Sequence, residues 1–364
     1  MSNPRVYFIT SPYLTCNYVR CFQPMLYAGY NGAQTSVWSK TKTNEEAIKG
    51  VNESDIIVFH RPDKIYHQKA AIAMKQAGKI VVFDNDDTAY LDRGHPFDYI
   101  DDADYEEKAP IYRNIIDNFI RNADAVTTTT EFLAQEYRKH NPNVTVLPNC
   151  VDPEDWDEPL KNEGDKVRIL ISGSAAYTLD FKHIKDYLIE LDARPDVQLI
   201  MFGLWGKHKR SQNPEVERRY QKEFAFWDSL PNLEHIEWVE IGDYPKALNE
   251  IRADIQIIPR YESYFNKAKS NLKFLEASMC EVPCVVQSFT TKDSPYDGIP
   301  DNVCKKAEDV LQWRNQVEEL IANKELRRNI GMLAKNYVLE NFNIQKNYKQ
   351  WVSFYDSLFN KLKK

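Results

Sequence analysis

The segment KAKSNLKFLEASMCEVPCVV, residues 267–286, joins a short helical run to a turn and a β-branched run. Residues 272–279 have the pattern of a helix, Pro283 marks the turn, and the valines that follow favour a strand. Two lysines, a serine and an asparagine precede the helix, and its one acid, Glu276, lies six residues after Ser270. The segment therefore predicts a helix with a polar entrance that leads through a turn into a buried strand.

Capping rules explain the polar entrance of this helix. Ser270 is a good N-cap residue. Three amides would then lack helical partners, those of Asn271, Leu272 and Lys273. Such an end attracts phosphate through its amides and the helix dipole, and Lys269 and Lys273 would add positive charge. The entrance is therefore a predicted anion site.

Glu276 lies too deep in the helix for a capping role, among neighbours that are apolar and look buried. A carboxylate at that depth, on a helix whose N-terminus holds phosphate, could accept two hydroxyl hydrogens from a ribose. The alternative is an ordinary helix-surface glutamate that pairs with Lys273. Spacing alone leaves both interpretations open.

Strand-like runs alternate with helical patterns on both sides of this segment. The predicted strands are 5–10, 55–60, 79–85, 125–130 and 144–149, then 167–174, 197–203, 233–239, 254–259 and 283–288. The predicted helices between them are 64–77, 108–122 and 131–139, then 180–191, 214–229, 243–252 and 270–280. Strand followed by helix, repeated, predicts parallel sheets that are covered on both faces.

The alternation breaks once, at CVDPEDWDEPLKNEGD. This proline-rich and acidic stretch predicts a linker over 151–165, between an N-terminal domain, 1–150, and a C-terminal domain, 166–344. The predicted fold class is α/β, with two doubly wound domains that face each other across a cleft. In such domains, ligands bind at the carboxyl ends of the strands.

Composition restricts the class of protein. A chain of 364 residues with 43% hydrophobic and 28% charged residues is typical of a globular protein. We expect no membrane span, because no apolar run approaches about 18 residues, and no signal peptide at MSNPRVYFIT. Six cysteines without metal or redox spacing predict free thiols in a reducing cytoplasm. The formal charge of −7 argues against a general attraction to nucleic acid or anionic lipid.

Residues 253–286 resemble the donor-site signature of family-4 retaining glycosyltransferases with the GT-B fold. VLPNCVD at 146–152, RILISGS at 168–174 and the closing helices at 325–351 resemble other parts of the same family. The resemblance covers nearly the whole chain and is most specific from 146 to 286. It implies two Rossmann-like domains and a last helix, 345–364, that returns to the first domain.

The same resemblance implies a function and a donor site. It implies transfer of a sugar from a nucleotide-diphosphate sugar to an acceptor hydroxyl, with retention, without a metal and without a cofactor. The helix entrance that begins at Ser270 would hold the diphosphate, and Glu276 would bind the ribose. The stretch around Gly173 and Ser174 would let the backbone approach the donor phosphates.

Two departures from the family pattern change the expected roles. The family has a first glutamate eight residues before the second, and Ala268 stands there in this chain. The family's Arg and Lys after the first strand of the C-terminal domain are not recognisable. We therefore expect Lys269 to contact the diphosphate, with Arg260 and Lys273 as second choices.

The N-terminal half is expected to bind the acceptor. FDNDDTAY, residues 83–90, places three aspartates at the end of a strand, and Asp86 and Asp87 are the candidate acids that orient or deprotonate the acceptor hydroxyl. A divalent metal and a solvated helix cap are the alternatives. His60 and Arg61 come at the end of the preceding strand and could lie at the same rim. His60 is a third candidate catalytic residue or a structural histidine, and Arg61 is expected on the acceptor side. Arg20 could face the cleft or pair with a surface acid.

The identity of the acceptor stays open. Residues 84–107 contain ten acids and one base, which would repel a polyanion, so a glycan is favoured. Residues 207–222 contain six bases and two acids, which predicts a solvated helix face or a contact with DNA. The alternatives are therefore a phage-type DNA glycosyltransferase that acts on hydroxymethylated bases, a non-catalytic nucleotide-sugar-binding module, or another GT-B activity such as an epimerase.

If the protein is a GT-B enzyme, EDTA should leave most of its turnover intact, because helix amides and lysines stabilise the leaving phosphate in place of a metal. The measurement is nucleotide release from a donor sugar with EDTA, and with Mn²⁺ or Mg²⁺ added back. A strict requirement for either cation would instead assign a metal to the aspartates of residues 84–87 and contradict the GT-B interpretation.

Overall fold

The structure is a computed structural model that describes residues 3–10, 15–30, 34–37, 44–62, 64–88, 102–173, 175–203 and 214–362. Ser174 lies outside the described residues. So do the acidic stretch from 89 to 101 and the bases Lys207, Lys209 and Arg210.

The first sheet has six parallel strands in the order β2-β1-β3-β4-β5-β6. The strands are β1 (Arg5–Ile9), β2 (Gln34–Val37), β3 (Ile56–His60), β4 (Ile80–Asn85), β5 (Ala125–Thr128) and β6 (Val144–Val146). β3 and β4 are buried along their whole length, as continuous apolar runs such as IIVFH and IVVFDN require in the middle of a parallel sheet. The short strand β2 was not predicted from the sequence.

Helices cover both faces of the first sheet. They are α1 (Thr15–Asn17), which continues through a π-helical turn (Tyr18–Phe22) into α2 (Gln23–Tyr30), then α3 (Asn44–Glu53), α4 (Ile65–Gln76), α5 (Asp102–Asn122) and α6 (Glu131–Arg138). Alternate strand residues point to opposite faces, so two separate apolar clusters form. One contains Val58 and Val82, and the other contains Ile57 and Phe83.

The second sheet also has six parallel strands, in the order β12-β11-β10-β7-β8-β9. The strands are β7 (Val167–Ser172), β8 (Val197–Phe202), β9 (Glu234–Ile236), β10 (Ile255–Ile258), β11 (Cys284–Gln287) and β12 (Lys305–Ala307). This is the strand order of a Rossmann fold, read from its far edge. The sequence did not predict β12.

The helices of the second domain complete the layers around this sheet. A 3₁₀ segment (Ala175–Ile184) leads into α7 (Lys185–Asp192), followed by α8 (Pro214–Asp228), α9 (Tyr244–Glu250), α10 (Tyr264–Lys267), α11 (Leu272–Met279), α12 (Val310–Ala322) and α13 (Lys324–Asn341). Among the described residues, no helix is both long enough and apolar enough to cross a membrane.

The last helix, α14 (Ile344–Leu362), returns to the first domain. Its buried face joins the apolar cluster of the first sheet through Tyr348, Trp351 and Tyr355. The chain crosses between the domains a first time near Val151, and a β-bridge joins Val151 to Asn343 beside the second crossing. The predicted arrangement of two Rossmann-like domains with a returning C-terminal helix is therefore confirmed.

Because α14 is part of the first domain's core, replacing Trp351 by alanine should lower the free energy of unfolding by roughly 3–5 kcal/mol. Trp351 is 2% exposed, whereas Trp238, the matched control, is 58% exposed. Urea unfolding of both variants is the measurement, and Trp238→Ala should stay within about 0.5 kcal/mol of the wild type. Wild-type stability of Trp351→Ala would show that α14 does not support the first domain.

Candidate active site

The candidate site lies where the strand order of each sheet reverses. In the second sheet this point is between β7 and β10, and in the first sheet it is between β1 and β3. Loops diverge at such points and leave a crevice at the carboxyl ends of the strands. The chain that follows β10 forms α10 and α11, so the segment with which the sequence analysis began lies at this crevice.

Helix α11 begins one residue later than the capping rules predicted. Its N-cap is Asn271, whose carbonyl accepts hydrogen bonds from the amides of Phe274 (2.9 Å) and Leu275 (3.2 Å). Ser270 lies one residue before the cap, and its Oγ accepts a hydrogen bond from Asn149 Nδ2 at 2.9 Å. The first-turn amides are therefore those of Leu272 and Lys273, for which the helix itself provides no acceptor.

Glu276 is buried, with 5% of its surface exposed, and it is paired. Its Oε2 accepts hydrogen bonds from Lys273 Nζ at 2.9 Å and from the Tyr244 hydroxyl at 3.0 Å. Lys273 Nζ also donates to the Tyr244 hydroxyl at 2.8 Å. Glu276 thus has the lysine partner of one interpretation and the burial of the other. Within the described part of the chain, both hydrogen bonds to its carboxylate go to Oε2, which leaves Oε1 for another donor.

The environment keeps this cluster in one protonation state. Burial and the neighbouring carboxylate of Glu276 raise the pKa of Tyr244, so the phenol keeps its proton. Burial alone would lower the pKa of Lys273, but the charge of Glu276 outweighs it and holds that pKa above its usual range. The Tyr244 ring stacks on Phe202 with 5.4 Å between the ring centroids. The cluster is therefore a fixed pair of opposite charges.

Lys269 joins the two domains. Its Nζ pairs with Asp87 Oδ2 of the first domain and lies 4.1 Å from the centroid of the Phe265 ring. The two charged side chains are 15% and 13% exposed. The candidate diphosphate ligand and the candidate acceptor acid, predicted separately, are therefore in direct contact.

Helix α10 docks on the first domain beside this pair. Ala268 is fully buried in the apolar cluster that contains Phe83. The ring of Tyr264 makes an edge-to-face contact with Phe132, and its hydroxyl donates to Glu136 Oε2 at 3.4 Å. The resemblance predicts a glutamate where this chain has Ala268, and a carboxylate there would be buried among apolar side chains at high cost. A small apolar residue at position 268 therefore fits this interdomain contact.

Arg260 contacts an acid of its own domain. Arg260 and Asp180 are 5% and 4% exposed, and their charged atoms lie 2.9 Å apart. Asp180 also accepts hydrogen bonds from the Tyr261 amide at 3.0 Å and from Asn266 Nδ2 at 2.6 Å. This network fixes the loop after β10. A donor-binding role of Arg260 stays a prediction.

Gly173 directly follows β7, which ends two residues earlier than the predicted strand, and its amide is engaged. It donates a hydrogen bond to the carbonyl of Phe202 at 3.1 Å. The chain turns away after the neighbouring strand at Gly203, which has a φ of 78°, a conformation that favours glycine. Two glycines therefore bring the backbones of these two turns close together.

Arg20 is buried, not exposed to the acceptor as the sequence analysis allowed. Its guanidinium donates to Asp84 Oδ1 at 2.5 Å and to the carbonyl of Leu147 at 2.5 Å. Asp84 also accepts from Thr127 Oγ1 at 2.6 Å and lies 2.8 Å from His60 Nδ1. Arg20 therefore cannot touch the acceptor directly and acts as the counter-ion of Asp84.

His60, Arg61 and Asp86 do meet at the rim of the first sheet. Arg61 Nε donates to Asp86 Oδ1 at 2.5 Å, and His60 Nε2 lies 3.9 Å from the same oxygen. His60 Nε2 is buried and has no hydrogen-bond partner within the described residues. Burial opposes ionisation of Asp86, but the charge of Arg61 outweighs it and holds the pKa of Asp86 well below its usual range. Asp86 is therefore a carboxylate that is already ion-paired.

Each aspartate of residues 84–87 thus has a cation of the protein beside it. The pairs are Asp84 with Arg20, Asp86 with Arg61, and Asp87 with Lys269. A metal ion at these carboxylates would have to displace these cations. The residues that the sequence analysis missed are partners of predicted ones, namely Tyr244, Asp180 and Asn149, and only long-range folding brings them to the site.

The comparisons with known sequences point to one enzyme class. A family model described as "Glycosyl transferase-like" matches residues 186–353, which extend from α7 into α14. An uncharacterized glycosyltransferase of Methanocaldococcus jannaschii is 29% identical over 126 residues. The aligned part is 32% of this chain and 29% of that protein, so the match spans less than a third of the relative's length.

Solved structures match the architecture over almost the whole chain. Sucrose-phosphate synthase from Thermosynechococcus elongatus has a TM-score of 0.69 at 12% identity, over 98% of this chain and 100% of that one. HepE from Anabaena, in complex with UDP and glucose, has a TM-score of 0.65 at 11% identity, over 96% and 98%. At these identities the likeness establishes the fold. The protein has the GT-B fold, and its second domain is glycosyltransferase-like in sequence.

The buried pair of Asp84 and Arg20 predicts a pH dependence of stability. Burial opposes ionisation of Asp84, but Arg20 and His60 lower its pKa from 3.8 to about 2. A folded-state pKa below the unfolded value stabilises the protein above about pH 4, and this contribution of roughly 2 kcal/mol is lost as the pH falls toward about 2.

Asp84→Asn should therefore lose less stability than the wild type between about pH 5 and about pH 3, as measured by urea unfolding. The substitution also leaves Arg20 buried without its counter-ion, so its stability at neutral pH should fall. Asp186→Asn, which changes an exposed carboxylate, is the control. An unchanged pH dependence in Asp84→Asn would contradict the assignment.

Proposed function

We propose that the protein is a glycosyltransferase of the family-4-like branch that moves a sugar from a nucleoside-diphosphate sugar to an acceptor hydroxyl. The donor binds the second domain, and the acceptor binds the first. One observation carries the proposal: the start of α11 gathers Lys269, Lys273 and Glu276 at the crevice beyond β10, opposite Asp87 of the first domain. The family model over 186–353 supports it.

The donor's diphosphate is assigned to the start of α11. The amides of Leu272 and Lys273 point out of the first turn, where the helix dipole favours negative charge. Lys269 lies immediately before this turn and adds a mobile ammonium group. The ribose is assigned to Glu276, whose Oε1 can accept a hydroxyl hydrogen while Oε2 is held by Lys273 and Tyr244.

This arrangement can stabilise the leaving group of the reaction. Cleavage between the anomeric carbon and the diphosphate oxygen builds negative charge on the leaving phosphate. Lys269 and the amides of α11 are positioned to stabilise that charge, so the stabilisation is greater in the transition state than in the ground state. We assign no protein nucleophile, and we propose retention, with attack on the same face as departure. The proposed chemistry uses no metal and no cofactor.

The complexes of HepE with UDP and glucose support UDP-sugars as the first donors to test. For the acceptor we favour a neutral glycan, because the acids of residues 84–107 would repel a polyanion. The six cysteines are all free, which supports our placement of the protein in a reducing cytoplasm. DNA is the alternative acceptor. The basic stretch of the protein that would contact it, residues 207–222, begins outside the described residues. DNA binding with a steep salt dependence would favour DNA, and its absence would exclude it.

The first experiment is a thermal-shift screen of nucleotide sugars, followed by mass spectrometry of candidate acceptors with the donor that stabilises most. Binding without transfer or donor hydrolysis would favour a non-catalytic binding module. Absence of binding to every nucleoside-diphosphate sugar would overturn the proposal.

Substitutions at the two ends of the donor site should fail differently. Glu276→Gln removes charge-assisted hydrogen bonds of roughly 1.5–3 kcal/mol each, so it should mainly raise the KM for the donor. Lys269→Ala should lower kcat more than donor affinity, because its charge acts most strongly on the leaving phosphate. Steady-state kinetics and nucleotide titration measure both.

Matched controls exist for each change. Glu281→Gln alters an acid just beyond the same helix that pairs with Lys161, and Lys267→Ala alters a lysine that pairs with Glu262 and Asp293. Both controls should retain the donor KM and kcat within about twofold, since their ion pairs lie outside the assigned donor site. If Glu276→Gln lowers Tm sharply and leaves donor affinity unchanged, α11 is structural and the donor site is elsewhere.

A further inference from the structure

We propose that the ion pair of Lys269 and Asp87 is an interdomain latch, which the donor's diphosphate opens, and that Asp87 then positions the acceptor hydroxyl. The inference rests on the proposed function and adds to it an order of binding: donor first, acceptor second. It starts from a contact between the two domains that occupies one candidate residue of each substrate site.

The hydrogen bonds of Asp87 show why the latch blocks the acceptor. Asp87 Oδ1 accepts a hydrogen bond from the Thr88 amide at 2.7 Å, which fixes that oxygen to its own loop. Asp87 Oδ2 is the oxygen that pairs with Lys269. An acceptor hydroxyl can therefore approach Oδ2 only after the lysine has moved. Asp87 is thus a positioning residue whose useful oxygen is masked in the unliganded protein.

The second domain provides a competing anion site for the same lysine. A diphosphate carries more negative charge than one carboxylate, and it also receives the first-turn amides of α11. The lysine side chain has a flexible four-carbon stem, so its ammonium group can change partners without a backbone movement. Donor binding therefore exchanges a carboxylate for a phosphate at Lys269.

Asp87 keeps a counter-ion when the latch opens. Arg61 Nη2 lies 3.6 Å from Asp87 Oδ2, while Arg61 Nε stays bonded to Asp86. Arg61 can therefore balance Asp87 when Lys269 leaves. A buried carboxylate without a counter-ion would be costly, so this second cation makes the exchange feasible.

The latch makes a testable and unusual prediction, because Asp87 competes with the nucleotide for Lys269. Removing the charge of Asp87 should tighten nucleotide binding, although the residue belongs to the acceptor domain. Titration of the full-length protein with UDP, or with GDP or dTDP if UDP does not bind, should give a Kd about threefold to tenfold lower for Asp87→Asn than for the wild type.

Glu136→Gln is the matched control. Glu136 is another acid of the first domain at the same interface, where it contacts Tyr264 and does not pair with Lys269. Its Kd should equal that of the wild type, which separates the latch from a general change of charge. Asp87→Ser carries the same test if Asp87→Asn does not fold.

A second background shows whether the effect passes through Lys269. In a Lys269→Ala protein, nucleotide binding should be weaker, and adding Asp87→Asn should no longer tighten it. An unchanged Kd in Asp87→Asn, or equal tightening with and without Lys269, would overturn the latch and leave the proposed function intact. If the wild type binds no nucleoside diphosphate of any base, the proposed function itself fails, and the latch fails with it.

Discussion

One buried ion pair, between Arg20 and Asp84, connects several elements of the first domain. Arg20, in the turn before α2, also donates to the backbone after β6 at Leu147. Asp84, near the carboxyl end of β4, also contacts His60 at the end of β3 and the Thr127 hydroxyl on β5. The guanidinium also lies 5.9 Å from the centroid of the Trp351 ring on α14. The arrangement of acids at this edge of the sheet, and so the position of Asp87, depends on that charge being balanced.

Opposite charges are paired across the rest of the site as well. The carboxylates of Asp84, Asp86, Asp87 and Glu276 each have a lysine or arginine beside them. An anionic substrate therefore does not enter an empty positive pocket. It has to compete with carboxylates for cations that are already occupied, and this competition favours ligands with several charges and a fitting shape over simple anions.

Much of the architecture was predictable because parallel strands buried on both faces need continuous apolar sequence. The two strands that sequence analysis missed, β2 with QTSV and β12 with KKA, are short and lie at the edges of their sheets. An edge strand has one neighbour and tolerates polar residues, so it leaves little periodic signal.

The site was predicted less evenly, because local and long-range signals differ. The position of Lys269 and Glu276 at a helix entrance followed from rules that involve a few neighbouring residues. Arg20 was expected to face the cleft or to pair with a surface acid. It is instead buried against Asp84, a partner 64 residues away in the sequence. The partners of Glu276 and Ser270, Tyr244 and Asn149, are likewise distant in sequence. A single sequence contains no record of such pairings.

The bridge between Val151 and Asn343 has a mechanical consequence. The chain passes between the domains twice, and the two passages are tied together, since the Val151 amide donates to Phe342 at 2.9 Å and the Ile344 amide donates to Val151 at 3.0 Å. The two connecting segments are therefore fastened side by side at one point between the domains. These bonds keep the two passages adjacent, so the domains stay in register at residues 151 and 343 when the crevice opens elsewhere.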